Sequence, residues 1–174
     1  MRKGGVILEK KDLVREALNS VEELSSIMRE YDSTQHIYGG YKIYQTEAHM
    51  IEQIGNNPGV SATQLALIFA KTISACSQII KRLMQKGLIT QYLVPENARV
   101  RKLYLTKAGK IVYLDHRRLE NHIFHRDMEE FEDISNQEIE TFLKISGKIR
   151  KCFICDLEEQ KRTLVRHDRS YKRA

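Results

Sequence analysis

The stretch 61–105 constrains this chain more than any other part of it. Ser61-Ala62-Thr63-Gln64 has the form of a capping box, a serine followed three residues later by glutamine. It opens a short apolar helix carrying Leu65, Leu67, Ile68 and Phe69. Thr72 then caps a second helix over 73–86, with Cys76, Ile79, Ile80 and Leu83 at three-and-four spacing, and Gly87 stops it. Leu88-Ile89-Thr90-Gln91-Tyr92-Leu93-Val94 reads as a strand. Pro95-Glu96-Asn97-Ala98-Arg99 reads as a turn, and Val100-Arg101-Lys102-Leu103-Tyr104-Leu105 as the returning strand. Two short helices with a tight connection, followed at once by a β-hairpin, make a helix-turn-helix with a wing.

Helices flank this block on both sides. The first is expected over 7–31, where Val14, Leu18, Val21, Leu24, Ile27, Met28 and Tyr31 gather on one face. Turn residues end it over 32–40. Thr46 is expected to cap a second helix bearing Met50, Ile51 and Ile54. Thr106 caps a long helix with Ile111, Val112, Leu114, Leu119, Ile123, Phe124, Met128 and Phe131. A second capping box, Ser135-Asn136-Gln137-Glu138, opens the last helix, which carries Phe142, Leu143, Ile149, Phe153 and Leu157. Two prolines and nine glycines in 174 residues suit a mostly helical chain. The expected fold class is mainly α with a small β-hairpin wing: a winged helix-turn-helix flanked by long dimerisation helices. By role it divides into 1–43 (dimerisation helix and turn), 44–106 (winged lobe), 107–160 (long helices completing the dimerisation lobe) and 161–174 (a basic, mobile tail).

Charge is distributed unevenly. The chain carries a formal +6, but 71–110 alone carries +8, with Glu96 its one acid. Residues 161–174 carry +5, so the remainder is −7. A concentrated basic block within an acidic body is what a polyanion binder needs. A solvated surface face is the plain alternative. No run approaches the roughly 18 apolar residues of a membrane span. The start, Met1-Arg2-Lys3-Gly4-Gly5, leads into charged helical sequence without an apolar leader, so the cytoplasm is the expected compartment. No nucleophile–base pair, glycine-rich phosphate loop or cleft-forming pair of carboxylates is visible, and no enzymatic activity is expected.

The order of elements resembles the MarR family of bacterial transcription regulators. Two strings carry the resemblance: Leu83-Met84-Gln85-Lys86-Gly87-Leu88-Ile89, and Leu103-Tyr104-Leu105-Thr106-Lys107-Ala108-Gly109-Lys110. The resemblance spans about residues 7–157 and implies a homodimeric regulator, a repressor by expectation, acting on double-stranded DNA. Where the family has Asp-x-Arg in the wing this chain has Asn97-Ala98-Arg99, so the minor-groove arginine is kept as Arg99 without its steadying carboxylate.

Small and polar side chains near the start of the second helix let the backbone approach base edges: Thr72, Ser74, Ala75, Ser77 and Gln78. Gln78 is the expected base reader, because an amide pairs bidentately with adenine. Lys81 and Arg82, one turn on, reach phosphates or guanine. Ser61 and Thr63 open the preceding helix near a phosphate position. In the wing Arg99, Arg101 and Lys102 reach the backbone, and Arg99 the minor groove. The first and last helices have broad apolar stripes, which are expected to pair two subunits and set their recognition helices about 34 Å apart for a pseudo-palindromic operator, the plain alternative being a monomer whose helices fold back on the winged helix. The competing reading is a winged-helix protein–protein module that leaves DNA untouched.

An effector, a small molecule or a metal, is expected between the dimerisation and DNA-binding lobes. His116 and Glu120 stand at i and i+4 on one helix face, a usual spacing for two metal ligands. Among MarR regulators the zinc-sensing branch is similar here: His49 and His116 fall at its histidine positions, and Glu120 stands where it has a third ligand. His36 and Glu30 are further candidates for zinc or another transition metal. Histidines hydrogen-bonded to carboxylates at an interface are the plain alternative. Cys152 and Cys155 form a Cys-x-x-Cys within an apolar run, read as core packing with a redox pair as the alternative. Cys76 is expected as a packed thiol. Tyr38, Tyr41 and Tyr44 either line an aromatic pocket or cover a core edge.

Overall fold

Local signals account for most element boundaries. A computed structural model describes the backbone of residues 9–94 and 97–171, and the side chains of 9–93 and 101–167. The elements are α1 (Lys10–Ser33), β1 (Gln35–Tyr38), β2 (Tyr41–Tyr44), α2 (Gln45–Asn56), α3 (Ala62–Ile68), α4 (Ile73–Gln85), β3 (Ile89–Val94), β4 (Asn97–Leu105), α5 (Lys107–Glu129) and α6 (Asn136–Tyr171). Ser61 and Gln64 form the expected reciprocal cap, with Ser61 N–H donating to Gln64 Oε1 at 2.9 Å and Gln64 N–H to Ser61 Oγ at 3.3 Å. Thr72 Oγ1 accepts Ala75 N–H at 3.1 Å, and Gly87, at φ +69°, takes the left-handed turn that ends α4. Ser135 and Glu138 close the same reciprocal pair ahead of α6.

Residues Asn19–Arg126 form one compact unit, and Met1–Leu18 with Asp127–Ala174 form another. The first unit holds the buried core. Ile43, Met50, Ile51, Ile54, Leu65, Cys76, Leu83, Leu88 and Val112 are each fully buried, and Leu103 nearly so. Each such aliphatic side chain contributes about 1.5–3 kcal/mol. The stripe expected on α4 (Cys76, Ile79, Ile80, Leu83) is buried throughout. β3 and β4 pair antiparallel, with Leu93 opposite Arg101 and Tyr92 opposite Lys102. The wing's base is anchored where Gly59 N–H donates to Leu103 O (2.8 Å) and Leu103 N–H to Val60 O (3.0 Å).

The Thr106-Lys107-Ala108-Gly109 motif has a local explanation. Thr106 Oγ1 accepts Gly109 N–H at 3.0 Å and donates to Gly87 O at 2.7 Å, so one hydroxyl caps α5 and ties it to the end of α4. Gly109 lies so close to Leu88 O that a Cβ there would overlap the carbonyl.

Four expectations need correction. Residues 32–40 hold more than a turn: β1 and β2 form an antiparallel hairpin around Gly39 and Gly40, at φ +56° and +83°, the pair of positive dihedrals a tight two-residue hairpin turn requires. Thr46 does not cap α2, which starts a residue earlier; the Glu47 carboxylate takes the free Tyr44 N–H instead, at 3.1 Å. The tail expected to be mobile from 161 onward is helical to Tyr171, as part of a 36-residue α6. Finally, Cys152 and Cys155 are exposed on α6 rather than packed in a core, because the face that bears them has no cover within one chain.

Candidate nucleic-acid interface and histidine cluster

The α3–α4 pair bends by 114°, within the range of helix-turn-helix units. Ala70, at φ +49°, makes the turn. The bend leaves the first half of α4 outward: Thr72, Ser74, Ser77, Gln78 and Lys81 are exposed and Ala75 is half-buried. Between α3, α4 and the wing runs a groove of about 710 Å³, lined by Ser61, Thr63, Ser77, Lys81, Gln85, Gln91 and Arg101 over an apolar floor that includes Ile80 and Leu103. Among the described residues, no carboxylate lines it.

The wing cations separate. Arg101 shares the groove face with Leu103, whereas Lys102, one residue on, belongs to the other face of the ribbon and packs toward Gly59. Arg99 lies in β4, but its side chain falls outside the described residues. Ser61 spends both hydroxyl and amide on Gln64, at 3.0 and 2.9 Å.

Arg82 points elsewhere than expected. Its Nε donates to Glu47 Oε1 at 3.0 Å, and Lys86 Nζ donates to Glu47 Oε2 at 2.7 Å. Glu47 is completely buried. Burial alone would raise its carboxyl, but hydrogen bonds from Lys86, Tyr44 N–H and Arg82 outweigh that and hold it below the usual carboxylate range. The sequence did carry a sign of this. Glu47 stands at i−4 and i−7 from Ile51 and Ile54, on the buried face of α2.

On the same helix, His49 meets His116 and Glu120 of α5. One donor atom from each of the three lies within 4.8 Å of the others. Glu120 Oε1 is 3.3 Å from His116 Nε2 and 3.6 Å from His49 Nε2. Gln45 Nε2 lies 3.0 Å from His49 Nε2, while Gln45 Oε1 accepts the buried Tyr38 hydroxyl at 2.7 Å. His116 is fully buried, and among the described residues neither ring nitrogen has a hydrogen-bond partner; the approach to Glu120 has the distance of an ion pair without the alignment of a hydrogen bond. Burial pushes His116 below the usual histidine range, against the pull of Glu120 and Glu52. Burial thus favours the neutral imidazole, the form with a lone pair to offer. Tyr38, buried and facing Tyr31, Glu120 and Asp115, is pushed up to about 12.

The other two candidate ligands stay outside this group. His36 turns Nε2 to Tyr31 O at 3.2 Å and stacks near Tyr38. Glu30 sits on an exposed face of α1. The β1–β2 hairpin, which places Tyr38 beside His116 (ring centroids 5.0 Å apart), docks on α5 through Gly39 N–H and Asp115 Oδ2 at 2.7 Å. Tyr38 belongs to the core edge, and Cys76 is packed as expected.

Residues 45–99 match the MarR family. The chain is 26% identical over 143 residues to the uncharacterized HTH-type transcriptional regulator YybA of Bacillus subtilis (strain 168), covering 82% of this chain and 93% of that one. It is similar in fold to Streptococcus pneumoniae FabT in complex with DNA, with a TM-score of 0.60, 22% identity, and 85% and 99% of the two chains covered. It is also similar in fold to Lactococcus lactis ZitR, a zinc-responsive MarR family member, with a TM-score of 0.61, 17% identity, and 79% and 99% covered. Among the described residues no single helix is long and apolar enough to cross a membrane.

Proposed function

We propose that the chain is a MarR-type DNA-binding transcription regulator, acting as a cytoplasmic homodimeric repressor whose hold on a pseudo-palindromic operator responds to a metal ion. One observation carries the DNA-binding half: the polar first half of α4 stands exposed beside a groove that holds Lys81 and Arg101 and, among the described residues, no carboxylate. Gln78 is the base reader in this reading. Lys81 and Arg101 take phosphates, each adding about one unit of salt slope. A gel shift over a salt series, with duplexes spanning the DNA upstream of the protein's own coding sequence, tests it. The expected result is a steep loss of binding with salt. No shift at low salt would favour the protein–protein module instead.

The metal half rests on His116, buried with two unpaired ring nitrogens beside His49 and Glu120. A neutral imidazole, a second imidazole and a carboxylate form a donor set suited to zinc and related transition metals. His49, His116 and Glu120 would hold the ion, which supplies a strong electrostatic bond between α2 and α5. Similarity in fold to a zinc-responsive regulator supports this reading. Elemental analysis of the purified protein and operator affinity titrated against zinc test it. Metal-free protein with zinc-independent affinity would reject the sensor while leaving the DNA-binding reading intact.

Dimerisation is supported by exposed apolar stripes. Leu24, Ile27 and Met28 of α1 and Phe142, Leu143, Phe153 and Leu157 of α6 are all about half exposed or more in the single chain. Apolar stripes this exposed are what a partner subunit covers.

A further inference from the structure

We infer that Glu47 is a positioning residue for DNA reading, setting the pose of α4 through Arg82 and Lys86 and withdrawing both cations from the phosphate-binding set. The carboxylate is fully buried and makes three hydrogen bonds, two of them to α4 side chains. Lys86 Nζ also donates to Lys42 O at 3.1 Å, so the last turn of α4 is tied to β2 as well as to α2. Residues 82 and 86 stand one turn apart on α4. A two-point clamp of that kind fixes rotation of a helix about its axis as well as its depth, which apolar packing alone constrains weakly. Gln78 lies one turn before Arg82 and Lys81 immediately before it, so any rotation of α4 moves both on the outer face.

The clamp also separates the basic residues of 71–110 by task. Lys81 and Arg101 line the groove beside the exposed half of α4. Arg82, expected beside Lys81 at the DNA, instead joins Lys86 in neutralising a buried acid. Drawing Arg82 to a phosphate would leave the fully buried Glu47 carboxylate with one cation fewer, a cost that an exposed phosphate contact must first offset.

The test uses the full-length protein and two duplexes of equal length. One is selected by the wild-type protein from a random-sequence pool, and the other is poly(dI-dC). In Glu47→Gln, which keeps the shape and loses the charge, affinity for the selected duplex should fall on the order of tenfold, the worth of one misplaced base-edge contact. Affinity for poly(dI-dC) should hold or rise as Arg82 and Lys86 are released, with the salt slope steeper by about one for each of the two that reaches a phosphate. An unchanged ratio between the two duplexes, or a parallel loss on both that follows the fraction unfolded, would overturn the inference. Arg82→Gln, which leaves Glu47 with Lys86, gives a second reading that does not depend on Glu47→Gln folding. Discrimination should fall and the salt slope should stay. A slope lower by about one would make Arg82 a phosphate contact and defeat the proposal.

Discussion

Single side chains decide more here than their exposure suggests. Gly109 is the clearest case: the start of α5 presses on Leu88 O with no room for a methyl group. Gly109→Ala should destabilise the protein by about 3 kcal/mol, the upper end for overpacking, because both neighbours are backbone and cannot rotate away. Urea denaturation measures it, and a midpoint near wild type would show that α5 can slide. Glu47 sets an acid limb of the stability profile. Its folded carboxyl lies below the ordinary 4.5, so its contribution is complete above the unfolded value and is lost as pH falls through the folded one. The urea midpoint of the wild type should therefore drop below about pH 4.5 more steeply than that of Glu47→Gln. Parallel curves would mean that the carboxylate gains nothing on folding.

At the level of elements, periodicity separates residues that composition groups together. Arg101 and Lys102 are neighbours of equal charge, but a strand turns them to opposite faces, and only Arg101 lines the groove. Arg101→Ala should lower the salt slope for duplex binding by about one per subunit, and Lys102→Ala should leave it in place. Equal effects would mean that the ribbon twists when it meets DNA. The β1–β2 hairpin was legible in principle, because Gly39-Gly40 stands between Ile37-Tyr38 and Tyr41-Lys42-Ile43, the pattern of a tight hairpin. The four-residue strands were too short for alternation to outweigh the helical patterns on either side. Thr46 misled because a threonine before an apolar run is an ordinary cap, whereas here Glu47 reaches back to perform that service.

At the scale of the whole molecule, α6 carries an apolar stripe that is exposed among the described residues. Phe142 and Leu143 are 63% and 61% exposed. The protein should sediment at twice its 20.3 kDa chain mass. Phe142→Arg should weaken self-association by about 2–4 kcal/mol, the range of interface hot spots, and lower the melting temperature at a given protein concentration. A variant that stays dimeric at micromolar concentration would move the interface elsewhere. Cys152 and Cys155 belong to this scale: an apolar run reads as core whether its cover comes from the same chain or from a second one.

What could be read in the linear order was whatever depends on residues close in the chain. Caps at Ser61, Thr72, Thr106 and Ser135, the stop at Gly87, the α4 stripe and the wing's alternation are all satisfied within a few residues, so propensity and spacing were sufficient. Folding decided what spans long intervals. Glu47 chose Arg82 and Lys86 from nine cations in 71–110, and His49 met His116 and Glu120 while His36 and Glu30 stayed apart. The cause lies in the cost of burial: a carboxylate or an imidazole taken out of water must find whichever partner the packed helices bring within reach, and that partner is set by how helices cross rather than by any local pattern.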